Sequence, residues 1–117
     1  MFTGIIEELG TIKTLRREGS AARLAVQAKV VRGDLRIGDS LAVNGVCLTV
    51  IEKSGDSYKV DVSKESLDCT VGLDGRGSAE VNLEKAMQLT DRLGGHLVSG
   101  HVDGVGQVTH FAPVGES

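Results

Sequence analysis

Aromatic residues are scarce in this chain: its 117 residues include two phenylalanines, one tyrosine and no tryptophan. Base stacking on exposed rings, on which oligonucleotide-binding barrels rely, therefore has little to work with. Basic clusters are equally scarce. None exceeds Arg16-Arg17, and the formal net charge is −3, so the phosphate-neutralising patch of a nucleic-acid binder is missing. No apolar run approaches the length of a membrane span. The opening Met1-Phe2-Thr3-Gly4-Ile5-Ile6-Glu7-Glu8 is too acidic and too briefly apolar for a signal peptide. These absences argue against nucleic acid and membrane as partners and place the protein in the cytoplasm. Cys47 and Cys69 lack a C-x-x-C pairing, and in a reducing compartment both are expected to be free thiols.

What the chain does have is glycine, sixteen of them against one proline, spread between short runs of Val, Leu, Ile and Ala. Regular short runs of this kind predict an all-β barrel or sandwich rather than βαβ units. Strands are expected over 4–16, 21–29, 39–43, 46–52, 57–63, 78–86 and 101–111. A chain of this length buries roughly two-thirds of the surface its unfolded form exposes, enough for one core.

The sharpest local signal is "DSLAVNGVCLTVIE", residues 39–52. Asn44-Gly45 between two strand-like runs asks for a two-residue turn with positive φ at both centres. That turn sets Val43 against Val46, Ala42 against Cys47, Leu41 against Leu48 and Ser40 against Thr49. Leu41, Val43, Val46, Leu48 and Val50 then share a core face, and Ser40, Ala42, Cys47 and Thr49 share the other. A solvated face normally carries long charged side chains; this one carries none. It suits either a flat ring lying against the sheet or a loop packed over it.

After "SYKVDV", Ser63 is placed to cap a short helix running through Cys69, with Glu65 near its positive end. "GLDGRGS" reads as a loop. "VNLEKAMQLTDRLGG" reads as a strand turning helical before Gly94-Gly95, its charges forming a solvated face. "GGHLVSGHVDG", residues 94–104, holds two of the three histidines, His96 and His101, among four glycines. Those glycines suggest close backbone approaches that larger residues would prevent. If the segment is extended, the two histidines point to opposite faces unless the glycines bend the chain. A zinc site needs three or four ligands. His110, Cys47, Cys69 and Asp103 are present, but none shows metal spacing, and no metal is expected. A Cys47–His nucleophilic pair stays open, since such partners meet in space rather than along the chain.

Together, "MFTGII", "GDSLAVNGVCLTV" and "GGHLVSGHVDG", in that order and spanning nearly the whole chain, closely resemble the N-terminal half of the riboflavin synthase family. The resemblance implies a six-stranded antiparallel Greek-key β-barrel with a short capping helix over residues 1–97. Residues 98–117 would then be an interdomain segment and the truncated start of a second lumazine-binding repeat. It also implies the reaction. One 6,7-dimethyl-8-ribityllumazine passes a four-carbon unit to another, giving riboflavin and 5-amino-6-(ribitylamino)uracil, without metal or redox cofactor. Loss of a proton from the 7-methyl group begins the chemistry.

By the same resemblance Gly4, Ile5 and Ile6, then Cys47, Leu48 and Thr49, then Val62, Ser63, Lys64, Glu65 and Ser66, and finally Gly100, His101 and Val102 contact the ligand. Backbone groups around Ile6, Thr49 and Val102 would grip the pyrimidine-dione edge, and Ser63 and Ser66 the ribityl chain. His101 would serve as a proton carrier or polar wall, and Cys47 as a polar contact or candidate nucleophile. His96 would shape the loop or act across a subunit contact, and Ser40 is a further catalytic candidate. The family assembles as a homotrimer. With the second barrel lacking, this chain is expected to bind lumazine or riboflavin with little turnover and to pair as an isologous homodimer. The alternative is a non-catalytic lumazine or flavin carrier on the same barrel.

Overall fold

The computed structural model describes residues 1–74 and 79–116. Six antiparallel strands form it: β1 (Glu8–Glu18), β2 (Ala21–Gln27), β3 (Ser40–Val43), β4 (Val46–Ser54), β5 (Ser57–Val62) and β6 (Glu80–Lys85). A short 3-10 turn, Val31–Gly33, follows β2, and one helix, α1 (Lys64–Cys69), follows β5. The strands close into a barrel in the order β1-β2-β5-β4-β3-β6. Three consecutive strands, β3 to β5, are joined by tight turns and β6 returns by a longer connection to lie beside β3, which is the Greek-key connection.

The hairpin β3–β4 pairs in the register its turn dictates: Val43 with Val46, Ala42 with Cys47, Leu41 with Leu48 and Ser40 with Thr49. Asn44 and Gly45 take φ of 50° and 79°. Asn44 is also tied across to β6, where its side-chain oxygen accepts the Asn82 N–H at 2.8 Å. Period-2 alternation then fills the interior. Leu41, Val43, Val46, Leu48 and Val50 meet Leu24, Val26, Tyr58, Val60, Val62, Val81 and Leu83 in one buried core. With no edge left open, the barrel needs no charged gatekeepers along a free strand.

Several expectations are corrected. The first strand begins at Glu8 rather than residue 4, because Phe2 forms a bridge with Val98 and Thr3 and Gly4 donate to Glu84. The sixth strand ends at Lys85 and no helix follows it; its expected start at Ser78, and residues 75–78 of the loop before it, lie outside the described residues. No strand forms over 101–111, where the backbone is exposed and carries no regular element. The reason is geometric: a strand needs a neighbouring edge for its N–H and C=O groups, and the closed barrel offers none.

Candidate functional site

α1 begins where β5 stops. Ser63 accepts the Ser66 N–H at 3.1 Å through its hydroxyl, an N-cap that satisfies one of the helix's orphan donors. Because β5 ends there, β4 is paired at Cys47 only with Ala42 of β3 and has no ladder partner on its β5 side. The Cys47 N–H donates instead to the carbonyl of Gly100 at 2.9 Å. Gly100 has φ of +78°, and a Cβ on it would lie 2.9 Å from both Cβ and N of Cys47. Only glycine lets the 96–102 segment sit this close to the barrel and then turn away.

The turn opens a cleft of about 320 Å³ lined by Val46, Cys47, Glu65, Ser66, Thr70, Gly100, His101, Val102 and Asp103. Of the residues singled out in the sequence, Cys47, Glu65, Ser66, Gly100, His101 and Val102 meet here. Cys47 is half-buried and, like Cys69, a free thiol. The His101 backbone N–H donates to the Ser99 hydroxyl at 3.2 Å, leaving the imidazole exposed at the rim. Thr70 donates its hydroxyl to the Ser66 carbonyl at 2.6 Å and so fixes the end of α1. The cleft thus offers hydroxyl, thiol, imidazole and carboxylate groups around an open floor. Among the described residues no group of three or more His, Cys, Asp or Glu is placed to hold a metal.

Other expected site residues lie elsewhere. Leu48 and Val62 point into the core, so their side chains are closed to any surface ligand and only their backbones remain available. Ser63 spends its hydroxyl on the helix cap, and Lys64 pairs with Asp68 at 2.6 Å. Thr49 is exposed on β4. Ile6 is exposed, and His96 is outside the cleft lining, its N–H donating to the Thr3 carbonyl at 2.8 Å. The small-residue face is partly roofed: Ala42 is only 3% exposed, between the groups that receive Thr3 and Gly4 on one side and Gly100 on the other. The loop-packed reading therefore holds at Ala42, while Thr49 stays exposed and Cys47 half-buried.

Ser40 and Ile5 line a second, wider wedge of about 560 Å³ beside β6. There the Lys85 ammonium donates to Asp34 at 2.7 Å. That hydrogen bond, outweighing desolvation, holds the Asp34 carboxyl below its ordinary value and raises Lys85.

One residue escaped the sequence reading altogether. Glu84 was expected on a solvated face, yet it is 5% exposed and accepts from the Thr3 N–H, the Thr3 hydroxyl and the Gly4 N–H at 2.7, 2.9 and 3.0 Å. Followed by Lys85, it looks like surface in the sequence; no local pattern signals partners that lie 80 positions away.

Residues 3–86 match the model of a family described as "Lumazine binding domain". The chain belongs to the lumazine-binding domain family. It is similar to riboflavin synthase of Bacillus amyloliquefaciens, 50% identical over 113 residues that make up 95% of this chain and 52% of that protein. Riboflavin synthase of Actinobacillus pleuropneumoniae is 44% identical over all of this chain and 54% of its own length. The chain therefore spans about half the length of the curated relatives it matches. Among solved structures, LumP complexed with riboflavin superimposes with a TM-score of 0.78 at 27% identity, covering 89% of this chain and 56% of LumP. LumP complexed with 6,7-dimethyl-8-ribityllumazine gives a TM-score of 0.77, also at 27% identity, over 89% of this chain and 58% of LumP.

Proposed function

We propose that this lumazine-binding barrel works as the N-terminal barrel of a riboflavin synthase, holding one 6,7-dimethyl-8-ribityllumazine, or the product riboflavin, in the cleft beside Cys47 and His101. The observation that carries the reading is the coincidence of identity and geometry. Identity of 44–50% to riboflavin synthases runs through the chain, and residues from two of its most recognisable motifs meet at one cleft. The fused ring would lie over Cys47 with its edge toward the backbone at residues 100–102. The ribityl chain would run along Ser66 and the end of α1, where hydroxyl and carboxylate groups match a polyol.

The whole reaction needs two lumazines, and one such cleft holds one. A second barrel must bring the partner ring, and the protein's contribution is to stack the two and move protons at the 7-methyl carbon. His101 is the proton carrier or polar wall in this reading, and Cys47 a polar contact or nucleophile. Ser40 and His96, which lie outside the cleft lining, would act only across a contact with another barrel. On its own the chain would bind ligand with little turnover. Pairing as a homodimer, trimeric assembly of the longer protein and action in the cytoplasm belong to the same proposal. In the same proposal residues 98–117 are the interdomain segment and the start of a second repeat, tied to the first barrel by the hydrogen bonds of Val98 and Gly100.

Titration of riboflavin with this chain is expected to give saturable quenching or shift of flavin emission, weakened by Ser66→Ala. Emission unchanged at high micromolar protein would refute the reading. LumP's likeness in shape keeps a carrier role as the second reading. The two part in the longer natural protein, where a synthase converts the lumazine to riboflavin and a carrier only binds it.

A further inference from the structure

Among the described residues Glu84 is the one charged residue that is buried. A carboxylate removed from water must be given hydrogen-bond donors, and all those it receives come from Thr3 and Gly4. Hydrogen bonds continue from there without a break. The Thr3 carbonyl accepts the His96 N–H at 2.8 Å, and Phe2 exchanges two bonds with Val98, at 2.7 and 3.0 Å. Two residues further on, the Gly100 carbonyl takes the Cys47 N–H. At Gly95 a Cβ would lie 2.3 Å from the Thr3 carbonyl oxygen, so the loop is seated on Thr3 at one end and on Cys47 at the other with no room for a side chain at either. Phe2, 1% exposed, anchors the same segment in the barrel.

We propose that Glu84 is a positioning residue for the Cys47–His101 cleft. Its carboxylate fixes residues 2–4, these fix 95–98, and Gly100 carries that placement to Cys47, His101 and Val102. Glu84 is not among the residues lining the cleft and acts only through this relay. The inference rests on the reading of the cleft as the riboflavin and lumazine site.

The chemistry demands a carboxylate. Oε2 faces two donors and Oε1 a third. An amide in the same place turns its NH2 toward one of them, whichever way it is oriented. The Thr3 hydroxyl is the second half of the device: it donates to Glu84 and accepts the Ile5 N–H at 3.1 Å.

The test measures riboflavin affinity of this chain by flavin fluorescence, together with its two-dimensional amide spectrum and melting curve. Glu84→Gln is expected to weaken riboflavin binding about tenfold while melting stays cooperative, as loss of charge-assisted hydrogen bonds outside the cleft would do. In the free protein the amides of His96, Val98 and Cys47 should move and those of β2 and β5 should not. Thr3→Val should weaken binding as well, and Thr3→Ser, which keeps the hydroxyl, should bind as the parent does. Parent-like affinity in Glu84→Gln or Thr3→Val, equal losses in Thr3→Val and Thr3→Ser, or amide changes confined to residues 3–4 would overturn the proposal. If Glu84→Gln does not fold, the Thr3 pair decides by the same criteria. If the parent chain does not bind riboflavin, the functional reading fails by itself, and the amide shifts still decide the relay.

Discussion

Glu8 opens β1, and its carboxylate holds the turn that follows β2, accepting from the Lys29, Val30 and Val31 N–H groups at 2.6, 2.7 and 2.9 Å. Burial raises its carboxyl, but the three backbone donors outweigh that and leave it below the usual glutamate range. A lowered carboxyl stabilises the fold fully above its unfolded value and loses that contribution as pH falls through the folded one. Glu8→Gln is therefore expected to cost about 1 kcal/mol near neutrality, with the gap to the parent closing below the ordinary glutamate range; urea melts across that pH series check it. Gly100 makes a different kind of contribution. Gly100→Ala combines a left-handed backbone with a Cβ 2.9 Å from Cys47 and should cost about 1–3 kcal/mol, or locally detach the loop. Hydrogen exchange at the Cys47 amide reports the second outcome as a loss of protection. Neither Glu8 nor Glu84 was legible in the sequence, because a carboxylate's burial depends on chain segments far from it. Gly100 was legible only as one of a cluster of glycines.

Elements whose logic is local were read correctly. Asn44-Gly45 dictated the β3–β4 register residue by residue, and Ser63 announced α1 through Cys69. Both carry predictions. Asn44→Ala removes a residue suited to φ of 50° and the acceptor of the Asn82 N–H; about 1–2 kcal/mol of stability should go with it. Ser63→Ala should cost about 1 kcal/mol and loosen α1, the wall that carries Glu65 and Ser66, so riboflavin affinity is expected to fall alongside the denaturation midpoint. Elements whose existence depends on a distant partner were misread. Residues 101–111 were read as a strand, yet the barrel is closed and no edge receives them. Phe111, 96% exposed, ends that stretch without a packing partner. The extended start at residues 4–7 was drawn off β1 because Thr3 and Gly4 are claimed by Glu84.

At the scale of the whole molecule, the cleft depends on two segments laid against a closed barrel. The N-terminal segment and the loop carrying His96 to Val102 lie far apart in sequence, and they are bonded to each other through Phe2, Thr3, His96 and Val98 and to β4 through Gly100. The fold class was legible because short apolar runs and turn residues repeat along the chain. The cleft was legible in outline, through Cys47, Ser66 and His101, but not its support by Glu84. The most direct measurement of the central claim is an amide-shift map of this chain titrated with riboflavin. The account predicts saturable changes gathered at residues 46–49, 63–70 and 100–103. Changes gathered instead around Ser40, Lys85 and Arg92, in the wider wedge beside β6, or no changes at saturating riboflavin, would contradict it.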